Sequence, residues 1–351
     1  MSVVRITQSL VVSINAINMS SENGKGKIAI VGRFVQVLVF SYSCFIFSGL
    51  VGSSWATIFA SSGYQVQMYD ISEQQLVAAK ILVEKNLQKL DKHALQRGPI
   101  LTDVALKLVS TTTSLKEVMT NAVYVQESAL EDLNFRIEFY KKLDELAGPN
   151  TILASSTSTI PASKFTEGLV NRERCIIVHP VNPPLFLPLT ELVPAPWTSQ
   201  DTVDRSAEIM KSVKQTPVKL KKEVLGFAVN RIQFALLAET WRLVADDVIG
   251  VDDIDVVMSA GLGPRYAFNG PCETVHLNAF GVRDYFRRYG NGATTVLNDM
   301  GPVPDFSDES VIQKLENDLE KKMAVANIRG YQAEREAKLI EIAKLKKALK
   351  F

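Results

Sequence analysis

One interrupted pattern near the start of the chain constrains the fold more than any other feature. KIAIVG, residues 27–32, is a short β-branched apolar run that ends in glycine, which is typical of a buried strand in a parallel sheet. QVQMYD, residues 65–70, is a second such run with an acid at its end. Between them, SGLVGSSWATIFASSG, residues 48–63, indicates a glycine turn and a helix with small residues on one face. This succession predicts the first unit of a doubly wound α/β sheet.

The glycines of this unit indicate what it binds. When residues 33–47 are set aside, Gly32, Gly49 and Gly52 have the spacing G-x-G-x-x-G. The first glycine of such a pattern allows a tight turn, the second lets the backbone approach a pyrophosphate, and the third lets the helix pack closely on the strand. Asp70 follows about 20 residues after the turn, where a carboxylate accepts hydrogen bonds from the adenosine ribose and repels a 2′-phosphate. The pattern therefore predicts NAD, rather than NADP, as the cofactor.

Residues 33–47, RFVQVLVFSYSCFIF, separate Gly32 from the rest of the glycine pattern. Their Phe, Val, Leu and Ser content is typical of translated T-rich DNA, and we interpret the segment as a retained intron. A genuine loop particular to this protein is an alternative. A membrane span is a third interpretation, because no charged residue occurs from Phe34 to Tyr69, although a soluble fold is predicted on both sides. An apolar segment at the phosphate turn is expected to impair cofactor binding.

Composition narrows the class of protein. The chain has 351 residues, enough for two domains. Its net charge of +1 comes from mixed charges, so neither a nucleic-acid partner nor a membrane surface is expected. The cysteines are scattered and indicate a reducing compartment rather than a disulfide framework: Cys44, Cys175 and Cys272. The histidines lack the spacing of metal ligands: His93, His179 and His276. We expect a cytoplasmic protein without a metal site.

The chain divides into three expected parts. Residues 1–26 are interpreted as a disordered N-terminal extension, with Met19 as the expected true start and a weak organelle-targeting peptide as the alternative. Residues 27–220 alternate strands and helices and form the expected NAD-binding domain, interrupted by 33–47. Residues 221–351 contain no further clear strand run and are expected to be helical.

Three polar segments lie at or just past expected strand ends, which is the ligand side of an open α/β sheet. They contain Ser158 in ASSTST, His179 in HPVNPP and Glu191 in LTELVP. Oxidation of an alcohol requires a base for its proton as hydride leaves, and an imidazole suits that task. Glu191 follows His179 by twelve residues, so a strand-to-strand turn brings its carboxylate to the imidazole, where it fixes the tautomer. Each residue also has a structural interpretation, as a core histidine, a surface acid or a turn cap.

Other polar residues complete this expected site. Asn230, in GFAVNR, is a candidate with Ser158 for hydrogen bonding the substrate oxygen, and its alternative role is to brace the helix that contains it. Arg231 and Arg265 are candidates for a substrate carboxylate, and surface ion pairing is the alternative for both. The sequence does not choose between the two arginines.

These segments, together with GLGPRYAFNGPCETVHLNAFG, resemble the 3-hydroxyacyl-CoA dehydrogenase family from about Lys27 to Pro304, apart from residues 33–47. The resemblance implies a Rossmann-type, doubly wound parallel sheet followed by an all-helical C-terminal domain that forms a homodimer. It implies that His179 is the catalytic base and Glu191 its carboxylate partner. Ser158 and Asn230 match the residues that contact the substrate oxygen.

The resemblance also implies a set of cofactor contacts. Beyond the glycines and Asp70, the backbone amides of Leu50 and Val51 match the turn that meets the pyrophosphate. Glu131 and Arg136 match an acid and a basic residue that line the cofactor. The family often has lysine where Arg136 stands, and this exchange keeps the charge but alters the donor geometry.

The family resemblance favours one substrate over another. HPVNPP and the segments around GLGPRYAF and HLNA resemble the branch that oxidises L-gulonate at C3 to 3-dehydro-L-gulonate more than the acyl-CoA branch. A 3-hydroxyacyl-CoA dehydrogenase is the alternative enzyme. A catalytically impaired isoform or a structural protein is the alternative of another class, because the inserted segment breaks the phosphate turn. The complete set of Ser158, His179, Glu191 and Asn230 favours an enzyme.

Overall fold

The structure, a computed structural model, describes residues 27–31 and 47–349. Gly32, residues 33–46 of the inserted segment and the expected extension 1–26 lie outside the described residues. The chain forms two compact units, the first ending at Phe227 and the second beginning at Ala228.

The first unit is built on an eight-stranded sheet with strand order β3-β2-β1-β4-β5-β6-β7-β8. Strands β1 to β6 are parallel, β7 is antiparallel to β6, and β8 is parallel to β7. This confirms the predicted doubly wound sheet. The strands are β1 Lys27–Val31, β2 Val66–Tyr69, β3 Val109–Thr112, β4 Ala122–Glu127, β5 Ile152–Ser155, β6 Cys175–Pro180, β7 Leu189–Pro194 and β8 Thr216–Lys219.

The helices of the first unit follow the alternation expected from the sequence. They are α1 Phe47–Ser61, α2 Glu73–Lys92, α3 Thr102–Lys107, α4 Leu115–Met119, α5 Leu133–Leu146, α6 Ser163–Thr166 and α7 Gln200–Ser212, with a 3₁₀ turn at Arg172–Arg174. Several of these helices have an N-cap side chain that accepts a hydrogen bond from a backbone N–H group of the first turn. Ser72 caps α2 in this way, and Asp132 caps α5.

The core lies on both faces of the sheet, which explains why its central strands are apolar throughout. Every residue of β5 and β6 is buried, as parallel strands covered on two faces require. On the α1 side, the rings of Phe59 and Tyr124 lie 5.7 Å apart and those of Trp55 and Phe59 5.9 Å apart. Strand β3, only four residues long and half exposed, had no apolar pattern that would indicate it.

The second unit is helical throughout the part that the structure describes. Its elements are α8 Val229–Ala245, α9 Val251–Val256, a π-helical segment Val257–Leu262, α10 Gly263–Tyr266, α11 Pro271–Leu277, α12 Val282–Asp299, α13 Glu309–Lys322, a 3₁₀ turn Val325–Asn327 and α14 Ile328–Ala348. A Cβ added at Gly263 would lie 2.7 Å from Met258 O, so the turn from the π-helical segment into α10 requires glycine.

The boundary between the units lies seven residues past the position expected from the sequence, which was 220. Residues 221–227 contain no strand, and this absence of pattern suggested that the second domain had begun. Their contacts attach them to the first unit. Phe227 is fully buried in its core, and Glu223 Oε2 accepts a hydrogen bond from Ser163 N at 3.2 Å.

No helix among residues 27–31 and 47–349 is long and apolar enough to cross a membrane. The membrane-span interpretation rested on Phe34 to Tyr69, and residues 34–46 of that run lie outside the described residues.

Candidate active site

The antiparallel pair β6–β7 brings His179 and Glu191 together. The two residues are direct partners in the strand register, and His179 Nδ1 lies 2.8 Å from Glu191 Oε2. Both are buried, with exposed fractions of 6% and 1%. The Phe227 ring lies 5.5 Å from the imidazole, centroid to centroid. A carboxylate at Nδ1 favours the tautomer that carries its proton there, which leaves Nε2 with a lone pair that accepts a proton.

The loop that contains Ser158 is fixed by Glu131. This carboxylate follows β4, and its Oε1 accepts hydrogen bonds from Ser158 N at 3.2 Å, Thr159 N at 3.1 Å and Thr159 Oγ1 at 3.0 Å. The hydroxyl of Thr157 donates to the same oxygen. Burial alone would raise the pKa of Glu131, but Arg136 and these donors outweigh it, and the pKa is lowered. The family resemblance assigns Glu131 to the cofactor, and the sequence gave no signal for its contacts with this loop.

Arg136 forms a buried ion pair that sequence reasoning missed. Its side chain is 1% exposed, and Nε lies 3.1 Å from Oε2 of the fully buried Glu127, while Nη2 lies 3.3 Å from Glu131 Oε2. Burial lowers the pKa of Arg136, but the two carboxylates outweigh it, so the pKa is raised. Glu127 also accepts from Ser155 Oγ at 2.5 Å. The expected role of Arg136 beside the cofactor stays a prediction, and its visible role is to neutralise Glu127.

The buried acid of this ion pair, Glu127, has a weak signal in the sequence. Glu127 is the last residue of the apolar strand β4, nine positions before Arg136. An acid at the end of a buried strand requires a partner, because an unpaired buried charge is strongly unfavourable. The sequence alone did not indicate which basic residue supplies it.

The carboxyl ends of the strands provide the place for a dinucleotide. The strand order reverses between β1 and β4, and ligands of such sheets bind in the crevice at that point. Asp70 follows β2 and is 8% exposed, with Oδ1 accepting from Ser72 N at 2.9 Å. Helix α1 begins at Phe47, so Gly49 lies in its first turn and the N–H groups of Leu50 and Val51 follow those that lack partners within the helix. The position of Asp70 fits NAD, while the expected contacts of Leu50 and Val51 with the pyrophosphate stay predictions, and Gly32 lies outside the described residues.

Gly52 differs from the expectation in one respect. The sequence suggested that this glycine lets α1 pack closely on β1. A Cβ added at Gly52 would lie 3.7 Å from Ile30 Cγ2, which is ordinary van der Waals contact. Contact with Ile30 therefore does not by itself require glycine at position 52.

The remaining candidates lie in the second unit. Asn230 and Arg231 are in the first turn of α8, and Arg265 is in α10. Both arginines are exposed. Among the described residues, no group of three or more His, Cys, Asp or Glu side chains could hold a metal ion.

Comparison with known proteins decides the family. Residues 45–224 match the 3-hydroxyacyl-CoA dehydrogenase, NAD binding domain, and residues 226–311 match the 3-hydroxyacyl-CoA dehydrogenase, C-terminal domain. The chain belongs to the 3-hydroxyacyl-CoA dehydrogenase family. The predicted resemblance and the predicted cofactor, NAD, are thereby confirmed. This family member is an NAD-dependent oxidoreductase that acts on CH–OH groups.

The chain is similar to individual members of this family and to a solved structure. A lambda-crystallin homolog from Homo sapiens is 41% identical over 301 residues, which cover 85% of this chain and 94% of the relative. An L-carnitine dehydrogenase from Pseudomonas putida is 29% identical over 305 residues, 86% of this chain and 93% of that enzyme. The solved structure of 5-formyl-3-hydroxy-2-methylpyridine 4-carboxylic acid 5-dehydrogenase, described as an NAD+-dependent dismutase, has a TM-score of 0.75 and 26% identity. It covers 91% of this chain and 97% of its own.

Proposed function

We propose that this chain oxidises the 3-hydroxyl of L-gulonate to 3-dehydro-L-gulonate, with NAD supplying the hydride acceptor. The observation that carries the proposal is the buried contact between His179 and Glu191 at the carboxyl end of β6. A base paired with a carboxylate, on the ligand side of a sheet that binds NAD, suits the oxidation of an alcohol. The resemblance of HPVNPP and of the segments around GLGPRYAF and HLNA to the L-gulonate branch of the family supports the choice of substrate.

The proton of the substrate hydroxyl goes to Nε2 of His179. Glu191 holds the imidazole by Nδ1, so the lone pair of Nε2 is directed away from the carboxylate. As the imidazole becomes charged, the buried carboxylate stabilises it, and burial of Glu191 strengthens this effect by excluding water. Both ring nitrogens are then donors, and Glu191 is the acceptor for one of them.

The substrate oxygen also needs donors that hold it in place. We assign this role to Ser158 and Asn230. Glu131 supports the assignment of Ser158 because it binds the backbone N–H groups of Ser158 and Thr159 and so fixes their loop. A loop held by several hydrogen bonds to one carboxylate keeps a catalytic hydroxyl within the narrow range of positions that a reaction requires.

A small hydroxy acid is favoured over an acyl-CoA ester. The relatives include an L-carnitine dehydrogenase, and L-carnitine is itself a small hydroxy acid without a CoA group. A 3-hydroxyacyl-CoA substrate is the second candidate, supported by the descriptions of both matching domains. For the free acid, an exposed arginine is the natural carboxylate partner, and Arg231 and Arg265 are the two candidates.

We also propose that the protein is a homodimer. Four apolar side chains of α8 are between 42% and 67% exposed in the single chain, and a second copy would cover them: Ile232, Phe234, Leu236 and Leu237. Helix α8 lies in the second unit, where the family resemblance implies the dimer contact. Light scattering coupled to size exclusion tests this, and a monomer at micromolar concentration would contradict it.

The substrate is tested by the initial rate of NADH formation with L-gulonate, L-carnitine and 3-hydroxybutyryl-CoA. The full chain is compared with a version that lacks residues 33–47, and His179→Ala serves as the inactive control. Turnover of L-gulonate alone is expected. Turnover of only the CoA ester would replace the proposed substrate by the second candidate, and no turnover by either version would favour a structural protein.

A further inference from the structure

Ser156, the residue after β5, is the centre of a hydrogen-bond network that joins α1 to three neighbouring strands. Its Oγ lies 3.2 Å from Trp55 Nε1, 2.6 Å from Gln126 Nε2 and 2.9 Å from Ser128 Oγ. Trp55 and Gln126 are fully buried, and Ser128 is 4% exposed. The network therefore lies in a setting where each donor and acceptor requires a partner.

The orientation of Gln126 is fixed by its other contacts. Val178 O, 3.2 Å from Nε2, can only accept a hydrogen bond, so the amide nitrogen faces it. Tyr124 OH lies 2.5 Å from Gln126 Oε1 and donates to it. Burial raises the pKa of Tyr124, which keeps this donor protonated. Gln126 thus directs an N–H group at Ser156.

The direction of the remaining hydrogen bond follows by elimination. An indole N–H and an amide N–H can only donate, and a serine hydroxyl accepts two hydrogen bonds and donates one. Trp55 and Gln126 therefore use both lone pairs of Ser156. The proton of Ser156 is donated to Ser128 Oγ, which is its third neighbour.

The hydroxyl proton of Ser128 is the end of this chain of donors. Because Ser128 accepts from Ser156, its own O–H points elsewhere, and no acceptor for it exists in the part of the chain that the structure describes. A buried hydroxyl without an acceptor is unfavourable. A ligand oxygen beside Ser128 would remove this deficit.

The position of Ser128 indicates which ligand this is. Ser128 directly follows β4, whose last residue Glu127 pairs with Val31 of β1, so it lies where the strand order reverses and NAD binds. Asp70, at the end of β2 on the other side of β1, is placed for the adenosine ribose. The β4 side of the crevice is therefore left for the nicotinamide nucleoside.

We propose that Ser128 is a cofactor-binding residue whose hydroxyl donates a hydrogen bond to a ribose hydroxyl of the nicotinamide nucleoside, and that Ser156 is the positioning residue that aims it. The assignment rests on NAD as the cofactor and not on the identity of the hydroxy acid. Failure of L-gulonate as a substrate would leave it intact.

The test is calorimetric binding of NADH, ADP-ribose and ADP to the full chain and to the version that lacks residues 33–47. Ser128→Ala is expected to weaken NADH and ADP-ribose binding about 2- to 10-fold, the range of one neutral hydrogen bond. ADP binding should not change, because ADP lacks the second ribose. Ser156→Ala should weaken the same two ligands. Ser61→Ala removes an equally buried hydroxyl, which donates to Ile58 O at 3.0 Å within α1, and should change nothing.

Several outcomes would overturn the proposal. An unchanged NADH affinity of the Ser128→Ala variant would show that Ser128 does not bind the cofactor. An equal loss of ADP affinity would assign the contact to the ADP half of the cofactor. A loss of NADH affinity without a loss of ADP-ribose affinity would assign it to the nicotinamide ring. Absence of NADH binding by both parent versions also overturns it. Ser128→Cys, which keeps the volume with a weak S–H donor, should show the same pattern of losses if Ser128→Ala fails to fold.

Discussion

His179 Nδ1 lies 2.8 Å from Glu191 Oε2 because the two residues are direct partners in the antiparallel pairing of β6 and β7. Directly paired residues project to the same face of a sheet, and a slip of one residue would turn either side chain to the opposite face. The contact between the proposed base and its carboxylate is therefore set by strand register rather than by a flexible loop.

Replacement of His179 by Ala should lower kcat by about 10²- to 10⁴-fold, the contribution of a positioned general base. NADH affinity should stay within a factor of about two, since the histidine is assigned to the substrate proton. Steady-state kinetics and calorimetry on the same preparation measure both. A variant that keeps more than half of the parent kcat would exclude His179 as the base.

Replacement of Glu191 by Gln keeps the shape of the side chain but removes its charge, so the imidazolium that forms during oxidation loses its stabilisation. We expect kcat to fall by at least about 10²-fold. Glu145→Gln removes an exposed negative charge on α5 and is the matched control for net charge. Equal kcat in the Glu191 variant and the parent would show that the pair is only structural.

Replacement of Arg136 by Met should lower the free energy of unfolding by about 3–5 kcal/mol, because it leaves Glu127 buried without its partner. Arg205→Met breaks an exposed ion pair with Asp201 and should change stability by less than about 1 kcal/mol. Urea titration measures both. The double variant with Glu127→Gln should recover part of the loss, and strict additivity would contradict the ion-pair interpretation.

Glu131 should contribute to the acid sensitivity of the fold. Its pKa is lowered in the folded chain, so its contribution to stability is present above the unfolded value of about 4.3 and is lost as the pH falls through the folded value. Glu131→Gln should therefore show a smaller difference in unfolding free energy between pH 7 and pH 3 than the parent does. An identical difference in both proteins would mean that Glu131 does not titrate on unfolding.

Removal of residues 33–47 should strengthen NADH binding by about 10- to 100-fold, the range of one hydrogen bond to a charged group, because it joins Gly32 to Ser48 and restores the glycine turn that meets the pyrophosphate. Calorimetric titration of NADH into both versions measures it. Equal affinities would identify the segment as a tolerated loop.

Much of the fold was predictable from local pattern. Apolar runs that end at Gly32, Ser128 and Val181 indicated buried parallel strands, and the small residues after Gly49 indicated a helix that packs on them. Strand β3 and the boundary at Phe227 were not predictable in this way. A short, half-exposed strand leaves no periodic signal, and neither does a loop that is attached by one buried ring and one hydrogen bond.

The sequence by itself determined the sheet and the cofactor, because these follow from the spacing of glycines, acids and apolar residues over a few tens of positions. It also indicated His179 as the candidate base, through its position after an apolar run and through the family resemblance. Only the tertiary structure decided that Glu131 fixes the Ser158 loop and that Glu127 neutralises Arg136. It also decided that Ser156 orients the hydroxyl of Ser128. The reason is physical. Most of these hydrogen bonds join side chains on neighbouring strand ends, and which ends are neighbours depends on strand order and register, which no local pattern contains.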